Sequence, residues 1–157
     1  MSDQLIAEAA CEVLATTAAV DVSETRRAVA AEHDGDDMIA FLSMVGTRAG
    51  TLALFCHPHV ASVLAGGMLN MTAAELDDAT VTDALGELVN QIGGTIKRKL
   101  AASGDEIMLS VPSVVSGSSM ALKVMTDATP LAVDLQVGAG AVSLRFWQPA
   151  KGREQRA

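Results

Sequence analysis

Hydrophobic positions recur at a helical period in three segments of the first two thirds of this chain, interrupted by two short apolar runs, and alternate in the last third. Leu5, Ile6, Ala9, Val13 and Val20 follow near-helical spacing behind Ser2, a natural N-cap, and predict a first amphipathic helix over residues 2–20. Residues 21–37, with SETRR and HDGDD, are polar and read as a loop or irregular edge. Met38 to Val45 and Thr51 to Cys56 are short apolar runs between which Gly46 and Gly50 punctuate the chain, the signature of a β-hairpin with a somewhat long turn. Pro58 suits a helix start, and Val60 to Leu69 continues that second helix. After Asn70-Met71-Thr72 and the acidic ELDD, a third and longer helix is expected. Thr80 and Asp83 have capping-box spacing at its start, and Ser103-Gly104 supplies its stop. From Ile107 the pattern turns to strands in MLSVP, SMALKVM, LAVDLQV and AVSLRFW, with SGS, DATP and GAG as turns and KGREQRA as a frayed tail. The expected fold is α+β, a two-layer arrangement of an antiparallel β-sheet with long helices on one face. It forms a single domain over residues 1–147, with 148–157 as tail.

The third helix carries the clearest chemistry. At 100° per residue, Val81, Leu85, Leu88, Ile92 and Ile96 share a band of roughly 80°, with Val89 and Leu100 at its margin. Asp83, Glu87, Asn90, Gly94 and Lys97 fall on the opposite side, so Glu87 and Asn90 are neighbours about one turn apart on a polar face. Gly86, Gly93 and Gly94 each cost such a helix roughly 1 kcal/mol relative to alanine. Close packing accounts for Gly86 and Gly93, at the flank between the two faces. Gly94, opposite the apolar stripe, reads either as packing or as an opening that lets another molecule reach the helix beside Glu87 and Asn90.

Composition narrows the function classes. The 157 residues carry Lys+Arg 11 against Asp+Glu 19, a formal charge of -8, which argues against binding a phosphate backbone. Three Phe, one Trp and no Tyr offer little on which to stack bases. Cys11 and Cys56 belong to no metal or disulfide framework and read as buried free thiols of a cytoplasmic protein. The opening MSDQL lacks the basic stretch of a secretory signal. Residues 49–74 contain no charged side chain other than histidine, yet His57-Pro58-His59 interrupts them, so a strand and a helix fit better than a membrane span.

The segment GELVNQIGGTIKRKL with its ELDD lead-in resembles the CheX and CheC class of chemotaxis phosphatases, which share a Glu-x-x-Asn helix followed by a glycine four residues after the Asn. Here those residues are Glu87, Asn90 and Gly94, and the likeness is densest from Leu64 to Leu100. The resemblance implies hydrolysis of the aspartyl phosphate on a response-regulator receiver domain such as CheY. Asn90 would hold the attacking water in line, and Glu87 would pair with the receiver's active-site lysine, with Asp83, Gly94 and Lys97 as further partner contacts. No cofactor of its own is implied, the Mg²⁺ being expected on the receiver.

A doubled site is absent from the first helix, where Glu8 is followed at the third position by Cys11 and Glu12 by Ala15. That pattern is closer to CheX, whose members are similar in pairing as homodimers through strands, and Ala141 to Trp147 is read either as such an edge or as an ordinary hairpin strand. Two other functional classes stand beside catalysis: a non-catalytic receiver-binding or self-associating adaptor, and a flagellar-switch or scaffold component. Cys56-His57-Pro58-His59 matches no common zinc spacing, and the stretch from His33 to Asp37 loses its calcium-loop pattern at Met38, so no metal site is expected.

Overall fold

In the computed structural model, residues 1–27, 36–118, 120, 122–138 and 140–149 are described. Three helices, α1 (Asp3–Thr16), α2 (Pro58–Leu69) and α3 (Asp78–Ala101), pack on one sheet. The strands are β1 (Val22–Arg27), β2 (Asp36–Gly46), β3 (Gly50–Cys56), β4 (Ile107–Leu109), β5 (Ser113–Ser118), β6 (Leu131–Val137) and β7 (Gly140–Trp147). Every pairing is antiparallel, in the order β1-β6-β7-β3-β2-β4 with β5 also on β2. The α+β reading therefore holds.

Local chemistry explains the helix ends. Ser2 caps α1 by accepting from the Leu5 amide at 3.2 Å. His57 caps α2 through Nδ1, which accepts from the His59 amide at 3.2 Å, Pro58 opens the helix, and Asn70 closes it in the left-handed region with φ 53°. The stop after α3 is the expected one: Gly104 takes φ 85° and its amide donates to the Ala101 carbonyl at 3.0 Å.

Strand alternation sorts the side chains of the sheet into two sets. Met38, Ala40, Leu42 and Met44 of β2 join Leu52, Leu54, Leu144 and Phe146 in the core under the helices. Ile39, Ala53, Phe55 and Trp147 form a smaller cluster on the opposite face, where Met120, Leu122 and Val124 cover them.

Several expectations are corrected. Of the two readings for residues 21–37, loop gives way to irregular edge over 22–27, which form the strand β1, paired with β6 through an irregularity at Val22/Glu24; a polar, charged sequence suits an edge, where one side of the ladder meets solvent. Residues 36–37 open β2, while His33, Asp34, Gly35 and the tail from 150 lie outside the described residues. The first helix ends at Thr16 instead of Val20, because Ala19 adopts φ 51° and turns the chain.

Of the segment SMALKVM, residues 120 and 122–125 are described, and they lie outside any strand. Their alternation is real, since Met120, Leu122 and Val124 pack against the back of the sheet, but no ladder among the described residues includes them; period-two burial records which side is covered, not whether backbones are laddered. SGS is the end of β5 and no turn. Asp77, three residues upstream of the expected Thr80, caps α3, its Oδ1 accepting from the Thr80 amide at 2.7 Å. Finally, β7 lies between β6 and β3, so Ala141–Trp147 is an interior strand and not a free edge.

Candidate functional site

The apolar stripe of α3 is buried as the periodicity demands, with Leu88, Val89, Ile92 and Ile96 fully inaccessible. The helix runs unbroken through its three glycines. Each glycine has its own surroundings. A β-carbon on Gly86 would meet Val114 Cγ2 at 3.4 Å and Pro112 Cγ at 3.8 Å, and one on Gly93 would meet Leu42 Cδ2 at 3.2 Å, so both let α3 settle onto the β2, β4 and β5 end of the sheet. Gly94 meets nothing within 4 Å. Its place is therefore not set by packing within the fold, and the helix backbone is reachable there.

On the outward face, Asp83, Glu87 and Lys97 are exposed, and Asn90 and Gly94 half-buried. All five predicted residues lie on one side of one helix, and Asn90, Gly94 and Lys97 border one groove of about 550 Å³ between α1 and α3. The far wall of that groove comes from α1, with Glu12, Thr16 and Thr17. No hydrogen bond holds the Asn90 amide among the described residues, which leaves both its donors and its acceptor available.

Glu87 is differently placed. Its Oε1 accepts from Gln91 Nε2 at 2.9 Å, and Gln91 Oε1 accepts in turn from the Thr17 hydroxyl at 2.8 Å. Two turns further along, Arg98 and Lys99 reach Glu12 of α1 at 2.6 Å and 3.2 Å. These pairs are exposed and contribute little to stability, but they set α1 beside the polar face of α3. Gln91 and Thr17 were not among the residues singled out from sequence. The four-residue spacing of Glu87 and Gln91 was a visible signal of a helical side-chain pair; the link to Thr17, 74 positions away, was not.

A family model described as chemotaxis phosphatase CheX matches residues 38–136, a span that includes the whole of α3 and the hairpin beneath it. The chain belongs to the CheX family. No curated protein sequence matches it. Among solved structures, this chain resembles a chemotaxis protein CheX from Desulfovibrio desulfuricans at 20% identity, covering 92% of this chain and 97% of that one with a TM-score of 0.78. A CheX from Vibrio vulnificus is similar at 23% identity, 91% and 93% coverage and a TM-score of 0.77. The CheX of a CheX-CheY-BeF3-Mg²⁺ complex from Borrelia burgdorferi is similar at 18% identity, 93% and 96% coverage and a TM-score of 0.75. At these identities the likeness is one of fold. Among the described residues, no helix of this chain is long and apolar enough to cross a membrane, and no group of three or more His, Cys, Asp or Glu stands together to hold a metal.

Proposed function

We propose that this chain hydrolyses the phospho-aspartate of a CheY-type receiver domain. The observation that carries the reading is the pairing of Glu87 and Asn90 on one outward face of α3, beside a Gly94 that leaves the helix backbone open. Water attacks phosphorus, the bond from phosphorus to the acyl oxygen breaks, and aspartate and inorganic phosphate leave. Asn90 serves this step by positioning: its carboxamide oxygen accepts from the water while its NH₂ donates toward the phosphoryl group, and the amide needs no change of protonation. Glu87 is the docking element, a carboxylate that meets the receiver's lysine and fixes register, with Asp83 and Lys97 at the margins of the same contact. The metal of the reaction belongs to the receiver, and this chain contributes none.

A homodimer belongs to the same reading, with its edge moved. Since β7 is interior, the described edge that suits pairing is β4–β5, which ladders with β2 alone among the described strands. Met108, Val111 and Val115 lie exposed along it at 67%, 84% and 43%, with Val45 of the neighbouring β2 at 53% beside Met108. A second copy paired there would cover both the unpaired backbone and the apolar strip.

The test is the decay of acyl phosphate on receivers from the same organism, with the wild-type chain, Asn90→Ala and Glu87→Ala. Accelerated decay is expected to fall by roughly 10²-fold in Asn90→Ala with complex formation retained, the effect of losing one positioned polar group. Glu87→Ala is expected to lose docking as well as rate. Wild-type activity in Asn90→Ala would remove this mechanism, and receiver binding without accelerated decay would make the chain an adaptor.

A further inference from the structure

Among the described residues, Glu87 is the one member of the outward face whose side chain is held by a relay from another helix. A lone glutamate on a helix surface samples several rotamers, and each docking event must then freeze it. Here Gln91 donates Nε2–H to Glu87 Oε1 at 2.9 Å, and this leaves Oε2 for an incoming cation. Gln91 itself is an amide whose two ends are chemically opposite, so its usefulness depends on which end faces Glu87. The carboxylate, which can only accept, selects the NH₂ end, and Thr17 holds the other: its hydroxyl donates to Gln91 Oε1 at 2.8 Å and keeps the carbonyl toward α1. Thr17 is in turn fixed as the C-cap of α1, its amide donating to the Val13 carbonyl at 2.8 Å.

We infer that Gln91 and Thr17 are positioning residues that pre-set the Glu87 carboxylate for a cationic group of the receiver, so that the end of α1 tunes docking at a site built on α3. The inference rests on the receiver-phosphatase reading for its consequence, but the relay itself belongs to the free protein. Because a hydrogen bond from a neutral amide leaves the carboxylate charge intact, Gln91 orients Glu87 without cancelling its attraction for a cation. The effect is therefore one on docking more than on the chemical step.

Two measurements separate the parts. In the free protein, the side-chain amide resonances of Gln91 are expected to shift in Thr17→Val and again in Glu87→Ala, while Thr17→Ser keeps the wild-type position; no shift in either of the first two variants overturns the relay. With beryllofluoride-loaded receiver, Gln91→Leu is expected to raise the dissociation constant by roughly tenfold and Thr17→Val by about threefold, the scale of one lost hydrogen bond to a charged group and of its support. Thr17→Ser should restore binding. In acyl-phosphate decay, the half-saturating concentration should rise by similar factors with the maximal rate within about twofold of wild type. Adding Gln91→Leu to Glu87→Ala should change nothing further. A Gln91→Leu chain that binds as wild type, or whose loss adds in full to that of Glu87→Ala, overturns the inference. A wild-type chain that binds receivers without speeding decay sinks the phosphatase reading alone, and one that binds no receiver sinks both.

Discussion

A β-carbon on Gly93 would stand 3.2 Å from Cδ2 of Leu42, a side chain only 1% exposed, while the adjacent Gly94 faces open space. Two consecutive glycines in one helix thus have opposite reasons to be there. Gly94→Ala is expected to stabilise the chain by about 1 kcal/mol, the helix-propensity difference with no steric cost. Gly93→Ala gains the same propensity but requires Leu42 to retreat inside a packed core, which offsets it. Thermal melts of the two variants test this: Gly94→Ala should melt above wild type and above Gly93→Ala, and the reverse order would mean that Gly94 is packed after all. In receiver titrations, Gly94→Leu should weaken binding while the fold persists.

The exposed strip on β4–β5 makes a separate prediction. Val111→Lys combined with Val115→Lys places like charges on an edge that would face itself across a two-fold axis. If the chain self-associates there, sedimentation should show a dimer for wild type and a monomer for the double variant, with the melting temperature of the variant no longer dependent on concentration. A wild-type monomer at high concentration, or a dimer untouched by the two lysines, would exclude this edge.

Much of this could be read from residue order alone, and the successes share a cause. The α3 stripe, the β2–β3 hairpin and the Pro58 start are local patterns, in which spacing dictates which side chains meet. That Glu87, Asn90 and Gly94 share one face was legible for the same reason, since one helix carries all three. The failures are non-local. Residues 22–27 form a strand because β6 offers its backbone, whereas residues 120 and 122–125 pack on the back of the sheet outside any strand, although the second segment is the more strand-like in sequence. The interior place of β7 and the reach of Thr17 to Gln91 likewise depend on how distant segments stack, which no window of sequence contains.

Cys56 offers a check on the core. Burial pushes its thiol up to about 12, with the negative charge of Asp37 adding to the effect. At pH 8 only about one part in 10⁴ is then thiolate, the nucleophilic form. Iodoacetamide should leave Cys56 unmodified in the native chain and alkylate it readily in guanidinium. The sign of the linkage follows: because the folded thiol holds its proton more tightly than the unfolded one, this contribution is complete below the ordinary thiol range and is lost as pH rises toward 12. Rapid native labelling of Cys56 would mean that the sheet opens above it.

Asp77 controls the start of the helix that bears the site. The Thr80 hydroxyl and then the Thr80 amide hydrogen-bond its carboxylate and hold it below the usual carboxylate range. A depressed folded value means that the stabilisation is present above the unfolded carboxylate range and is lost as pH falls through the folded one. Asp77→Ala should therefore lower the melting temperature at pH 7 by roughly 2–4 °C, the size expected for a missing N-cap in a chain of this length. Asp77→Ser should recover most of it, since a hydroxyl also accepts from the third amide. As the pH is lowered below the ordinary carboxylate range the gap between wild type and Asp77→Ala should narrow, because the charged form of the wild-type cap is progressively lost as pH falls through its depressed folded value. A gap that stays constant across that range would assign the cap's contribution to helix geometry in place of charge.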